Sequence, residues 1–113
     1  KEVYSIEIIQ ALAEEAGERL AGLGYKNVRV RHGDGYRGWP EQGPFDAILI
    51  TAATPKIPQP LIDQLKEGGR IVLPLGADRF SQDLMVATKT PDGLIKKHIT
   101  AVVFVPMTGE VRK

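Results

Sequence analysis

Four residues that could contact a ligand each stand at the end of an apolar run, namely Glu7, Asp34, Thr51 and Gly76. Carboxylates accept hydrogen bonds from hydroxyl and amino groups, and glycine lets a ligand come close to the backbone. In an open α/β sheet the ligand crevice lies outside the carboxyl ends of the strands, where such residues collect. Two acids that follow strands suit a nucleotide-like ligand, which has a ribose and a base to hold.

The apolar runs alternate with helical patterns. Strands are predicted at 3–6, 28–32, 45–50 and 71–75, and residues 45–50 are apolar enough for a strand that is covered on both faces. A stripe of apolar residues from Ile9 to Leu23 predicts a helix capped by Gly24, and a second, short helix should begin at Pro60 and stop at Gly68-Gly69. Strands that alternate with helices indicate a parallel sheet with helices packed on it.

The pattern changes after residue 75. Only residues 76–83 separate that strand from the next candidate, at 84–89, and a parallel crossover needs about a dozen residues or more. Pro91-Asp92-Gly93 then predicts a turn into a long final strand at 95–105. The chain should therefore end in an antiparallel meander.

Composition narrows the classes of function. The 113 residues form one domain at most, and 42% hydrophobic content supports a small core. The net charge of +1 gives no electrostatic case for nucleic acid or a membrane surface, and no apolar run is long enough to span a bilayer. The absence of cysteine fits a reducing compartment, so a cytoplasmic location is expected. No group of metal ligands or catalytic residues is evident.

Several phrases, read in order, resemble one family. They are Val3-Tyr4-Ser5-Ile6-Glu7, His32-Gly33-Asp34-Gly35-Tyr36, Pro44-Phe45-Asp46-Ala47-Ile48 running into Thr51-Ala52-Ala53, Leu65-Lys66-Glu67-Gly68-Gly69-Arg70, Pro74-Leu75-Gly76 and Phe104-Val105-Pro106-Met107-Thr108-Gly109. Together they resemble the protein-L-isoaspartate O-methyltransferases, which use S-adenosylmethionine to methylate isoaspartyl residues of damaged proteins. The resemblance implies a Rossmann-like class I methyltransferase sheet in which parallel strands precede the meander.

The resemblance also implies cofactor-binding residues. Glu7 would accept hydrogen bonds from the two ribose hydroxyls, Asp34 would accept one from the adenine amino group between Gly33 and Gly35, and Thr51 and Ala52 would leave room for the methionine portion. Each has a plainer interpretation that stays open. Glu7 could be a helix N-terminal acid, Asp34 could serve a turn, and Thr51 with Ala52 could simply end a strand.

Substrate peptide would be held mainly through backbone in two segments near the sheet end. The implied substrate-binding residues are Ala53, Pro55, Pro74, Leu75, Gly76, Val105, Pro106, Met107 and Thr108. The plainer interpretation is a strand end and an ordered tail. No catalytic residue is assigned, because an isoaspartyl carboxylate, with a pKa near ~4, arrives ionised and the protein mainly has to align the reactants. His32 and His98 are not expected to be catalytic, since each lies in or beside a strand with no acid placed to orient it.

Relatives in this family carry a helical portion, a first strand and a glycine-rich loop before the segment that resembles 3–7. The sheet should therefore be incomplete between 3–6 and 45–50. The two flanking strands could pair directly, another copy of the chain could pair with them in a homo-oligomer, or the parent protein could supply the missing residues. Two other functions stay open: a non-catalytic oligomerising module, and part of a nicotinamide dinucleotide-binding domain.

Overall fold

A computed structural model describes residues 2–76 and 81–112. The first unit is a parallel pair of strands joined by a helix. Strands β1 (Val3–Glu7) and β2 (Val28–His32) flank helix α1 (Gln10–Gly22), and Glu7 lies opposite His32. Gly24 ends the helical region with φ +87°, the left-handed conformation predicted for it. This unit confirms the first strand–helix–strand prediction.

The apolar stripe of α1 is only partly covered. Ala13 is buried, whereas Leu12 and Leu23 keep 47% and 67% of their surface exposed. Among the described residues, helix α1 packs mainly on β2 and β1, and two strands are too narrow a platform for a helix of 13 residues.

The second unit is a four-stranded sheet with the order β3-β4-β5-β6. Strand β3 pairs in parallel with β4, and the β4–β5 and β5–β6 pairs are antiparallel. The predicted meander is therefore confirmed. The bounds are β3 (Phe45–Leu49), β4 (Leu65–Leu75), β5 (Gln82–Thr90) and β6 (Gly93–Val102), with helix α2 (Gln59–Asp63) between β3 and β4. Residues 77–80, in the connection from β4 to β5, lie outside the described residues.

Two predicted boundaries are wrong. Helix α2 ends at Asp63, and Gly68-Gly69 lie inside β4. Between the pairs Phe45↔Leu65 and Ala47↔Arg70, two steps along β3 match five along β4, so the glycines form a bulge in the longer strand. The last strand stops at Val102 instead of 105, because its partner β5 begins at Gln82, opposite Val102.

The core forms under the four-stranded sheet. Ile71 and Leu73 of β4 and Ala87 of β5 have 0% of their surface exposed. They share one cluster with residues from the start of β4, α2, the segment after β3 and the C-terminal segment, which are Leu65, Leu61, Ile50, Met107 and Val111. The carboxyl end of β4 therefore rests on the best-packed part of the molecule.

The sheet is split between β1 and β3, the place where the sequence predicted that a strand is absent. Among the described residues, β1 pairs only with β2 and β3 pairs only with β4, so the two flanking strands do not pair directly. Tyr4 instead contacts the rings of Trp39 and Phe45, with centroid distances of 5.2 and 5.9 Å. Leu49 of β3 is 69% exposed, which contradicts the expectation of a strand covered on both faces.

Candidate functional site

Glu7 lies at the carboxyl end of β1, directly before α1. Its Oε1 accepts a hydrogen bond from the Ile9 amide at 3.2 Å, and its carbonyl oxygen accepts one from the Gly33 amide at 3.0 Å. The plainer interpretation, an acid at a helix N-terminus, therefore describes this contact. A carboxylate offers about four lone-pair sites, so the bond to Ile9 leaves capacity for further donors.

Asp34 begins a short 3₁₀ turn, Gly35–Arg37, and caps it. Its Oδ1 accepts a hydrogen bond from the Tyr36 amide at 3.0 Å, as the turn interpretation requires. Its Oδ2 accepts a hydrogen bond from the amide of Glu110 at 2.7 Å, a long-range contact that no sequence pattern predicts. A Cβ at Gly35 would meet no atom within 4 Å, so the space beside this turn is open.

The two acids lie at the same edge of the β1–β2 sheet. Glu7 is opposite His32, and the Gly33 amide donates a hydrogen bond to the Glu7 carbonyl oxygen. Asp34 therefore comes directly after the last hydrogen bond between the two strands. Each of the two carboxylates is half-buried, and open space adjoins the Asp34 turn at Gly35. We call Glu7 and Asp34 the acceptor pair, since carboxylates accept hydrogen bonds from hydroxyl and amino donors.

The segment after β3 lies between the end of β4 and the C-terminal segment. On one side, the Thr54 amide donates to Pro74 at 3.1 Å, and the Gly76 amide donates to Thr54 at 2.9 Å. On the other side, the Ala53 amide donates to Val105 and the Met107 amide donates to Ala53, both at 2.7 Å. Backbone bonds thus bring together the segments at 53–55, 74–76 and 105–108, which are far apart in sequence.

Burial divides the proposed contact residues into two groups. Ala53, Pro74 and Met107 are buried and pack as strand ends do. The accessible members are Thr51, Pro55, Val105 and Thr108, which are exposed, and Ala52, Leu75, Gly76 and Pro106, which are half-buried. A ligand at this edge could therefore touch the second group directly, whereas the first group supports the backbone.

Sequence reasoning missed three polar residues that shape the site. Thr54 is fully buried and its hydroxyl donates to the Lys56 carbonyl at 2.6 Å; Gln82 is 2% exposed and accepts from the Phe104 amide at 2.8 Å. Gln64 accepts from the Trp39 amide and donates to the Arg37 carbonyl, both at 2.9 Å. A polar side chain beside an apolar run was their only sequence signal, and it does not specify a partner.

The histidines behave differently from each other. His32 Nε2 donates to the Ile8 carbonyl at 3.1 Å, so it is a hydrogen-bonded structural residue. For His98 the expectation that no acid orients it is wrong, because Asp83 Oδ1 lies 3.0 Å from its Nε2. The bulge in the β5–β6 ladder lets these two side chains meet across the strands. Both are more than half exposed, as is usual for a surface pair.

An open groove of about 870 Å³ lies between the loop after β2 and α2. Its lining includes Arg31, Arg37, Pro44 and Gln64, and it contains none of the predicted site residues. Within residues 2–76 and 81–112, no three metal-ligating side chains gather into a group that could hold an ion. None of the helices described is long and apolar enough to cross a membrane.

Comparison with known proteins gives a consistent result. The family model for protein-L-isoaspartate(D-aspartate) O-methyltransferase matches residues 1–112. Protein-L-isoaspartate O-methyltransferase 2 of Syntrophobacter fumaroxidans is 57% identical over 96% of this chain and 44% of its own length. Protein-L-isoaspartate O-methyltransferase 1 of Nitrosospira multiformis is also 57% identical, over 96% of this chain and 47% of its own length. The chain thus spans about half the length of these relatives.

Solved structures give the same fold. A protein-L-isoaspartate O-methyltransferase superposes with a TM-score of 0.90 at 31% identity, over 97% of this chain and 35% of that one. A second, from Plasmodium falciparum, is described as a putative protein-L-isoaspartate O-methyltransferase in complex with S-adenosyl-L-homocysteine. It superposes with a TM-score of 0.78 at 28% identity, over 95% of this chain and 52% of that one. The predicted class I methyltransferase fold is therefore confirmed.

Proposed function

Because the chain belongs to the protein-L-isoaspartate(D-aspartate) O-methyltransferase family, we propose that its protein transfers a methyl group from S-adenosylmethionine to the carboxylate of isoaspartyl residues. The substrates are damaged peptides and proteins, and the role is protein repair in the cytoplasm. Residues 1–113 contribute one part of a single methyltransferase domain. The relative from Plasmodium falciparum supports the cofactor assignment, since S-adenosyl-L-homocysteine is the product that S-adenosylmethionine leaves after methyl transfer.

The acceptor pair at the β1–β2 edge is the observation that carries this proposal. Glu7 and Asp34 fit the donor groups of an adenosine, the ribose hydroxyls and the adenine amino group respectively. Gly33 and Gly35 keep side chains away from the base, and Gly35 has open space at its Cβ position. Thr51 and Ala52, which follow β3 without a bulky side chain, leave room for the methionine portion.

Methyl transfer to a carboxylate requires little acid–base catalysis. When bound, S-adenosylmethionine would supply a methyl group to an attacking carboxylate oxygen, and its sulfonium sulfur would leave as a neutral thioether. No proton moves in that step, because the attacking carboxylate is already ionised at neutral pH. The chain therefore has to hold the peptide against the cofactor and exclude water, which positioning by backbone can achieve.

The backbone hydrogen bonds around Ala53 hold the segments that would bind the peptide. Val105 and Thr108 are exposed in the C-terminal segment, Pro55 is exposed in the loop after β3, and Leu75 and Gly76 end β4 on a buried platform. Ala53, Pro74, Pro106 and Met107 fix the backbone that these accessible residues share. An extended, partly exposed segment such as 103–106 suits recognition of a peptide main chain.

A methyl-transfer assay on the full-length protein tests the proposal. Labelled S-adenosylmethionine is offered with an isoaspartyl peptide and with the normal aspartyl peptide of the same sequence, and methylation of the isoaspartyl form alone is expected. Transfer to neither peptide would refute the activity. Binding of a nicotinamide dinucleotide instead of S-adenosylmethionine would point to a dinucleotide-binding domain. Oligomerisation without catalysis would point to a non-catalytic oligomerising module.

Glu7→Gln tests the cofactor site directly. Loss of charge at an acceptor of hydroxyl donors should weaken cofactor binding by roughly ten-fold or more, measured by calorimetry. Glu14→Gln is the matched control, because Glu14 is exposed on α1 and its side chain accepts a long hydrogen bond, 3.4 Å, from Gln10. Equal affinities for the two variants would remove Glu7 from the site.

We also propose that the 113 residues, expressed alone, self-associate through the open edges of β1 and β3. Val3 and Leu49 are 49% and 69% exposed there, and open strand edges pair readily with other strands. Light scattering after size exclusion should show an oligomer that Leu49→Lys weakens. A monomer at every concentration would contradict this.

A further inference from the structure

The C-terminal segment folds back onto the turn that carries Asp34. Asp34 Oδ2 accepts the Glu110 amide at 2.7 Å across 76 positions of sequence, and Arg37 Nη2 donates to Glu110 Oε2 at 2.9 Å. Both bonds meet at Glu110, one at its backbone and one at its side chain. The turn beside the proposed cofactor site and the chain end are thereby tied by a double contact.

The residues around this contact fit it closely. Gly109 has φ +100°, and a Cβ there would lie 2.5 to 2.8 Å from the carboxylate atoms of Asp34. Val111, two residues after Gly109, is buried in the core with 8% exposure, as is Met107 with 9%. The segment 105–108 is therefore anchored at both ends, by the ladder to Ala53 on one side and by Glu110 on the other.

We propose that Arg37 and Glu110 are positioning residues that couple cofactor binding to peptide binding. They hold the segment 105–108 in its peptide-binding position, and they hold it through the same carboxylate, Asp34, that accepts the adenine amino group. This inference rests on the proposed function and goes beyond it, since neither Arg37 nor Glu110 belongs to the proposed cofactor or substrate contacts.

Asp34 links the proposed cofactor site to the C-terminal segment, because its Oδ1 caps the turn and its Oδ2 accepts from that segment. The amides of Tyr36 and Glu110 fix the rotamer of the carboxylate, so a docked chain end presents Asp34 to the base already oriented. Coupling between two ligands is reciprocal in its free energy. A bound cofactor therefore favours the docked segment, and the docked segment favours the cofactor and the peptide.

The test compares charge variants of the full-length protein. Arg37→Gln and Glu110→Gln should each raise KM for an isoaspartyl peptide by about two- to five-fold, the range that an exposed ion pair supplies. The value of kcat at saturating peptide should stay within about two-fold, because the lost interaction positions substrate and does not reach the reacting atoms. Exchanging the charges, in Arg37→Glu with Glu110→Arg, should restore KM.

Arg19→Gln is the control, because Arg19 is about as exposed as Arg37 and forms an ion pair with Glu15 at 2.7 Å on the outer face of α1. It should leave KM unchanged. Gly109→Ala is the stronger perturbation, since its Cβ displaces the chain end from Asp34 whether or not the ion pair forms. It should weaken cofactor binding as well as raise KM, and peptide should then no longer tighten the cofactor.

Hydrogen exchange separates failure of this inference from failure of the proposed function. Faster exchange of the amides at 107–110 in Arg37→Gln and Gly109→Ala, with the control unchanged, would support docking even in a protein without methyl-transfer activity. Unchanged exchange would overturn the docking. In an active protein, an unchanged KM, or a raised KM that the charge exchange fails to restore, would overturn the coupling. Absence of methyl transfer in the unaltered protein refutes the proposed function alone.

Discussion

Replacing Gly38 with alanine should destabilise the protein more than replacing Gly24, another glycine at a positive φ. Gly38 is buried at the end of the Asp34 turn, with φ +66° and ψ −152°, a backbone region that only glycine adopts readily. A Cβ there would overlap the side-chain amide of Gln64 and lie 2.7 Å from Leu61 Cδ2. Gln64 could move aside only by giving up its bonds to Trp39 and Arg37.

The expected cost has two parts. The backbone conformation contributes about 1–3 kcal/mol, and overpacking against Gln64 and Leu61 adds about 1–3 kcal/mol. Gly24→Ala is the matched control, because Gly24 has φ +87° but a Cβ there meets no atom within 4 Å. That change should cost only about 1–2 kcal/mol, from the left-handed conformation alone. The two variants should therefore differ by at least about 1 kcal/mol.

Urea unfolding of the full-length protein, followed by fluorescence and circular dichroism, measures the difference. Gln64→Ala combined with Gly38→Ala completes a double-mutant cycle. If the Gln64 amide is the obstacle, the double variant should cost less than the sum of the single ones, by roughly 1 kcal/mol or more. Equal destabilisation by Gly38→Ala and Gly24→Ala, or strict additivity in the cycle, would refute the steric explanation.

Two further predictions concern the fold and the isolated chain. Lys89→Met should lower the free energy of unfolding in urea by roughly 2 kcal/mol, because the Lys89 ammonium donates to the carbonyls of Ile62 and Leu65, both at 2.9 Å. The control is Lys96→Met on the exposed strand β6, which should change that free energy by less than about 0.5 kcal/mol. The 113 residues expressed alone should bind S-adenosylmethionine weakly and transfer methyl poorly or not at all, and calorimetry showing micromolar affinity would overturn that expectation.

The strands were predictable because their signal is local. A run of apolar residues bounded by glycine, proline or an acid marked β1, β2 and β3, and the short gap after residue 75 marked an antiparallel return. Boundaries that depend on a partner strand were not predictable. The bulge at Gly68-Gly69 and the early end of β6 at Val102 are both set by the register of a neighbouring strand, which leaves no mark at those positions.

The sheet edge that carries the proposed site could be predicted for the same reason. Sheet-end residues identify an edge, and Glu7 lies at that edge opposite His32, two residues before Asp34. That the two carboxylates face one ligand stays a prediction. The hydrogen bonds that connect the edge to distant parts of the chain could not be predicted. Asp34 to Glu110 and Gln64 to Trp39 join residues 76 and 25 positions apart, and a polar residue in sequence does not specify which distant amide it will meet.

A site assembled from backbone responds to substitution in a particular way. Ala53 joins Pro106 and neighbouring segments through amides and carbonyls, so exposed side chains such as Val105 can change without loss of the ladder. The sensitive positions are those that decide where the backbone runs, which are the buried Thr54 and Gln82 and the glycines at 38 and 109. We therefore expect sequence differences at exposed contact positions to change which peptides bind at the proposed peptide-binding edge, whereas differences at these supporting positions should remove that edge.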